Sequence, residues 1–323
     1  MGIRDVQRCG VRVVLLAALG VWTLSPGAGA AVAADKNAAD LNKADSGKAS
    51  RDSAERAMPL ERLAPDAQAK VRWILANTSV YRRLPVRMVQ CDPTLHRFLV
   101  QHPDVVVNIW EALGVGRVRM RQVSSGVYET SDETGTKGTL EYLFRSKTLN
   151  LAYIDGTYQG SLFKQKVHTR GLMLLRSAEM REQDGSLYMV SRLDAFLNIE
   201  PGGVEFLSKS FMPMMGKVAD NNFLQTAGFL GSVSRTAETN PSGTRRLTQK
   251  LTHVAPEVRD EFARITAAIG KRAADTPSLF AGAAEDDVAA AVGDDEAVRV
   301  ARQTPRPFAP APTRPQTDSS PTP

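Results

Sequence analysis

Six side chains in the middle of this sequence join polarity or softness to positions where a bound molecule could meet them: Tyr153, His168, Asp194, Met215, Asn222 and Phe223. His168 shares strand parity with Lys166 and Arg170, which reads as a basic, solvated face; turned inward, the same residues would grip an anionic ligand. Asp194 interrupts the apolar run Leu193, Phe196, Leu197, Ile199 and shares parity with Arg192, the expected partner of an ion pair on the outer sheet face. A buried Asp194 would instead carry a shifted pKa and mark a site. Tyr142, Tyr153 and Tyr158 are first of all packing residues of strands, although in a cavity their hydroxyls would orient a ligand. Asp220-Asn221-Asn222 is a polar patch on a helix, exposed or with Asn222 turned toward ligand atoms. Met212, Met214 and Met215, with Phe223 further along, would make ordinary core or an adaptable pocket wall.

Other chemistries lack their motifs. The histidines are His96, His102, His168 and His253, and none lies three or four positions from another His or Cys, so no metal spacing is present. No Gly-x-Ser-x-Gly turn, glycine-rich phosphate loop or recognisable glycosidase carboxylate pair occurs, and Gly114-Val115-Gly116 fails the dinucleotide pattern. No cofactor is implied, and no reaction is supported.

The elements that must position these residues follow from periodicity. Pro65 to about Asn77 is helical, with Val71, Ile74 and Leu75 on one side. Val80–Gln90 alternates as a half-buried strand, with Pro85 marking an edge or bulge. Asp92-Pro93 starts a short helix, His102-Pro103 breaks it and starts a second, and Gly114 stops that one. From Val115 the period becomes two, predicting strands near 126–132, 138–146, 148–158, 165–182 and 186–199. Ser124-Ser125-Gly126 and Asp155-Gly156 read as turns or bends, and Gln183-Asp184-Gly185 as a hairpin. Leu207, Phe211, Met215, Phe223, Leu230 and Val233 then recur at helical steps over 204–237, with Pro213 predicting a kink or a short preceding turn. A last helix is expected over about 254–272.

This order (strand 80–90, two short helices after Asp92-Pro93, strands 115–199, one long helix around Phe211–Val233) resembles the START-like, or helix-grip, superfamily of polyketide cyclases, plant pathogenesis-related proteins and lipid-transfer domains. The resemblance lies in element order and apolar pattern and covers residues 80–238. It implies an α+β fold, a curved antiparallel sheet wrapped around a long helix, with hydrophobic ligands held between the two. Catalytic residues vary among such proteins, so none is carried over.

The ends have a different character. Arg4, Arg8 and Arg12 precede the apolar run Val13–Leu24, and Ala28-Gly29-Ala30 and Ala31-Val32-Ala33 offer cleavage sites, so residues 1–33 read as a signal peptide and the protein as secreted or periplasmic. That run is shorter than the ~20 residues a spanning helix needs, so no transmembrane segment is expected in the mature chain. Cys91 would then be the single thiol, more naturally buried than reactive. Residues 34–60, nearly devoid of large apolar side chains, read as a disordered leader, and 61–272 as the START-like domain. Residues 273–323 read as a disordered tail, Ala/Asp-rich and then Pro-rich. The chain is +6, and residues 275–323 hold eight acids against four bases, which leaves the domain basic. A basic surface suits an anionic partner, and export argues against nucleic acid.

The expected function is therefore binding of a hydrophobic or anionic amphipathic small molecule between sheet and long helix. Two alternatives stay open. One is an envelope interaction protein that docks a partner through its Pro-rich tail and has no cavity. The other is a cyclase- or hydrolase-like enzyme using Tyr153, His168 or Asp194.

Overall fold

A computed structural model describes residues 43–160, 166–183, 185–200 and 211–275, with backbone only for 211–214. The expected signal peptide (1–33), the helix start expected at 204–210 and the expected tail beyond 275 lie outside the described residues.

The polypeptide forms an α+β helix-grip fold. Two helices, α1 (Lys48–Arg56) and α2 (Pro65–Ala76), precede the edge segments β1 (Val80–Arg83) and β2 (Arg87–Gln90). Then come α3 (Pro93–Gln101), α4 (Pro103–Ala112) and six strands. These are β3 (Val118–Ser124), β4 (Val127–Asp132), β5 (Thr136–Arg145), β6 (Leu149–Tyr158), β7 (Val167–Arg181) and β8 (Leu187–Ile199). The long helix α5 (Phe211–Thr239), the short α6 (Pro241–Gln249) and α7 (Pro256–Asp275) complete it. The sheet is antiparallel throughout in the order β1-β8-β7-β6-β5-β4-β3, and β2 also pairs with β8. β1 and β2 are thus one edge strand broken at Leu84-Pro85-Val86, because Pro85 has no amide to give the ladder.

Local chemistry explains most boundaries. The Asp92 carboxylate accepts the amides of Thr94 and Leu95, and Pro93 takes the first helical position. Gly185, at φ 85°, supplies the backbone angle that the β7–β8 hairpin demands. Pro213 lies near the start of the described part of α5. Asp155-Gly156, expected as a bend, instead lies within β6, where ladder pairing on both sides holds the glycine extended.

Alternation with period two gives the sheet two unlike faces. The concave face meets α3, α4 and α5 in a core that includes Leu95, Val107, Trp110, Leu140, Ile154 and Leu230. α7 closes this core from behind α5, burying Phe262 and Ile269. The convex face carries Leu151, Leu172, Leu174 and Phe196 beneath Ala54, Met58, Val71 and Ile74 of the N-terminal segment. Residues 34–60 are therefore no wholly disordered leader. α1 is ordered by polar contacts rather than by bulk: Asp45 and Arg83 exchange backbone hydrogen bonds, and the Arg83 side chain donates to the Ser50 hydroxyl and carbonyl. Periodicity does not announce α6 either, since its buried residues are Thr244 and Thr248. Among the described residues no helix is long and apolar enough to cross a membrane.

Candidate functional site

Between the concave face and α5 lies a cavity of about 310 Å³. Its floor is built from the inward residues of β6, β7 and β8: Asn150, Ala152 and Ile154; Met173 and Leu175; Ser191, Leu193, Ala195 and Leu197. Its roof is Met215, Ala219, Asn222, Phe223, Thr226 and Leu230 of α5, and α3 and α4 close one side with His96, Leu99, Val106 and Trp110. Met173, Leu175 and Leu197 face inward yet keep partial exposure. They border the void. α5 can lie this close because Gly231 passes the β2 edge, where even a Cβ would stand 3.0 Å from the Gln90 carbonyl.

Three of the six candidate residues line this cavity and three do not. Met215, Asn222 and Phe223 stand on its roof. Tyr153, His168 and Asp194 point to the convex face, because each has strand parity opposite to the lining residues Ala152, Met173 and Ala195. That single alternation places them outside this cavity.

The convex polar residues form ion-pair networks instead. Asp194 is fully buried and accepts from the Tyr81 hydroxyl and Arg83 Nε on one oxygen and from Arg176 Nη2 on the other, each at 2.7 Å. Its charge partners are Arg83 and Arg176, not the expected Arg192, because β1 lies beside β8 on this face. The Tyr81 hydroxyl is driven far above its ordinary pKa by burial and by the carboxylate it serves. His168 sits between Asp155 and Glu200, at 2.6 and 2.7 Å, with Arg170 bonded to Glu200 and lying over the Trp73 ring. Its surroundings are acidic as well as basic, unlike the purely basic face expected. Tyr153 donates to Asp155 and stacks under Lys70, and burial lifts its hydroxyl to about 12.

Besides Asn222, polar groups that sequence reasoning missed reach the cavity. His96 is 4% exposed, and its Nε2 lies 3.3 Å from the Ser191 hydroxyl, which lies 3.3 Å from the Ser177 hydroxyl. Burial, aided by the Arg97 charge, pushes the imidazole down to about 4, so it is neutral at neutral pH. Asn150 is 4% exposed and its Oδ1 has no hydrogen-bond partner. Asn222 Nδ2 is likewise buried and without one. The signal for Asn150 and Ser191 was parity: each shares a face with apolar neighbours, Ala152 and Ile154 in one strand, Leu193 and Ala195 in the other. His96 carried no such mark, being placed by how α3 meets β8.

At the β1 edge the lining includes the exposed Ser46 and the half-buried Arg82. Arg82 donates through Nε and Nη2 to Asp220 of α5, tying the helix to the sheet edge. Tyr142 also lines the cavity, but its hydroxyl is given to the Val100 carbonyl. Among the described lining residues there is no carboxylate. Cys91 is 2% exposed behind α5, and burial pushes its thiol up to about 12. Among the described residues no group of His, Cys, Asp and Glu has the geometry to hold a metal ion.

No family model and no curated protein matches the chain. Among solved structures, a conserved protein from Geobacillus kaustophilus is similar with a TM-score of 0.34 at 7% identity, over 47% of this chain and 93% of that one. An uncharacterised protein from Rhizobium leguminosarum gives 0.30 at 10% identity, over 46% and 94%. Dicamba monooxygenase bound to dicamba gives 0.33 at 13% identity, over 68% of this chain and 65% of that one. Likeness at this level carries no argument about function.

Proposed function

We propose that this protein binds a hydrophobic or amphipathic small molecule in the cavity between sheet and α5, acting as an exported carrier or receptor of START-like type rather than as an enzyme. The observation that carries the reading is the cavity itself. Its walls are almost wholly apolar, and its volume of about 310 Å³ falls at the lower end of the ~300–1,000 Å³ typical of ligand sites. Inward apolar side chains left partly exposed in an otherwise buried core represent contact that a ligand would supply.

Ser191 and His96 are the nearest approach to a nucleophile and base in the cavity, and their chemistry favours binding over hydrolysis. An imidazole held near 4 is a weak base at neutral pH, and among the described lining residues no carboxylate orients it. Tyr153, His168 and Asp194, which an enzymatic reading would use, stand on the other face.

The test is native mass spectrometry of the full chain purified from a bacterial host, followed by organic extraction of whatever remains bound. A bound apolar species is expected in the wild type and absent from Ala195→Leu, which puts a larger side chain into the cavity floor. Protein free of any such species, and unable to take up the neutral dye Nile red, would end the proposal.

A further inference from the structure

We infer that the ligand is electrically neutral and carries a hydroxyl group, which enters first and is received at the closed end of the cavity by Asn150, Ser191 and His96. The inference rests on the proposed binding function and names the ligand class.

Register places these groups together. Asn150 of β6 stands opposite Leu175 of β7, and Ser177, two residues further along β7, stands opposite Ser191 of β8. Asn150, Leu175 and Ser191 all line the cavity, and α3 lays His96 against Ser191. Away from these buried groups, at the β1 edge, the lining includes the exposed Ser46 and the half-buried Arg82. An apolar tail therefore fills the middle, between Leu193, Ala195 and Phe223.

Charge and hydrogen-bonding capacity then select the head group. A buried polar atom without a partner costs roughly 1–3 kcal/mol, and Asn150 Oδ1 is such an atom in a residue only 4% exposed. It needs a donor. A hydroxyl donates to Asn150 and still accepts from the Ser191 hydroxyl or the imidazole. A carboxylate has no proton to give and would bring a charge to an end whose described lining holds no cation. The imidazole there is neutral at neutral pH. Among the described lining residues the guanidinium is that of Arg82, which lies at the opposite end and is already engaged twice by Asp220. Burying an uncompensated carboxylate is prohibitive next to burying a hydroxyl.

Displacement of Nile red from the full chain at pH 7.5 by 1-octanol, octane and octanoate tests this. 1-Octanol is expected to displace the dye at a concentration about tenfold below that of either octane or octanoate, one hydrogen bond's worth of selectivity. Asn150→Leu should erase the advantage of 1-octanol over octane while octane itself displaces as before, with thermal unfolding confirming that the variant is folded. Octanoate matching or exceeding 1-octanol in the wild type would overturn the inference, whatever the variant does. So would an Asn150→Leu protein that keeps the 1-octanol preference. If octane and octanoate displace the dye but 1-octanol has no advantage, only this inference falls. If the dye never binds and no probe is taken up, the binding function falls with it.

Discussion

The two faces of the sheet are written in the same strands, one residue apart, and they solve opposite problems. On the convex face Leu172, Leu174 and Phe196 are fully buried, and the buried carboxylate of Asp194 has both oxygens engaged by Tyr81, Arg83 and Arg176. On the concave face Met173, Leu175 and Leu197 border a void, and Asn150 and Asn222 keep polar atoms without partners. On one face the buried carboxylate has its partners within the chain; on the other, apolar side chains border open space. The difference teaches where to look for function in a sheet of this kind: at unmet needs rather than at the densest collection of charges. Asp194 and His168 have the more arresting chemistry, yet their partners are already in place.

The sharpest way to break the comparison is to remove the compensation on the convex face. Asp194→Asn leaves Arg83 and Arg176 facing a neutral amide at a buried position, and a loss of ~3–5 kcal/mol in chemical denaturation is expected. A loss below about 1 kcal/mol would mean that the convex network does not hold the N-terminal helices to the sheet. Neighbouring residues of β8 give the next test. Phe196→Ala, on the filled face, should cost ~3–5 kcal/mol through the cavity it opens. Ala195→Leu, on the open face, should change stability by less than ~1.5 kcal/mol, since it fills space that already exists. Equal costs for the two would show that the concave void closes in solution.

A pH experiment separates the faces further. Asp104, at the start of α4 on the concave side, is fully buried and makes no sound hydrogen bond through its carboxylate; burial raises its pKa from 3.8 to about 6, with the amides of its own turn offsetting part of the rise. An acid whose pKa rises on folding binds its proton more tightly in the native chain. Its destabilising effect is therefore absent below pH 4, grows between pH 4 and 6, and is constant above. Asp104→Asn should flatten that part of the stability profile and stabilise the protein near pH 7 by up to about 3 kcal/mol, since each tenfold gain in proton affinity on folding is worth about 1.4 kcal/mol. An unaltered profile between pH 4 and 6 would remove Asp104 from the account. The smallest effect belongs to the exposed sheet edge, where Arg121 donates to Glu129 in full contact with water. Arg121→Ala should change stability by no more than ~0.5 kcal/mol, and a larger loss would assign that edge a structural role.

Much of the fold was legible because each strand carries its own alternation and each short helix its own start signal. Asp92-Pro93 and Pro65 begin helices where expected, the strands of 126–199 fall within a residue or two of their predicted limits, and Cys91 is buried. α1 was not legible, since it is held by the small buried Ala54 and by Arg83, which donates to the Ser50 hydroxyl and carbonyl, rather than by large apolar side chains. The site was half legible. Met215 and Phe223 follow from the apolar stripe of α5 and Asn222 from the polar patch beside it, whereas Tyr153, His168 and Asp194 stand out by their chemistry and lie on the face away from the cavity.

By itself, then, the sequence determined the strands and the helices other than α1 and α6, their order and the two-residue alternation that sorts side chains into two sets. Which set would face a cavity, and which would be covered by the N-terminal helices, was decided only when β1 and β2 took the edge beside β8 and α5 settled across the concave side. The reason is that alternation is a local property of an extended chain, identical for both faces. What distinguishes the faces is the company each one keeps, and that is supplied by residues such as Arg83 and His96, roughly a hundred positions away from Asp194 and Ser191 in the chain.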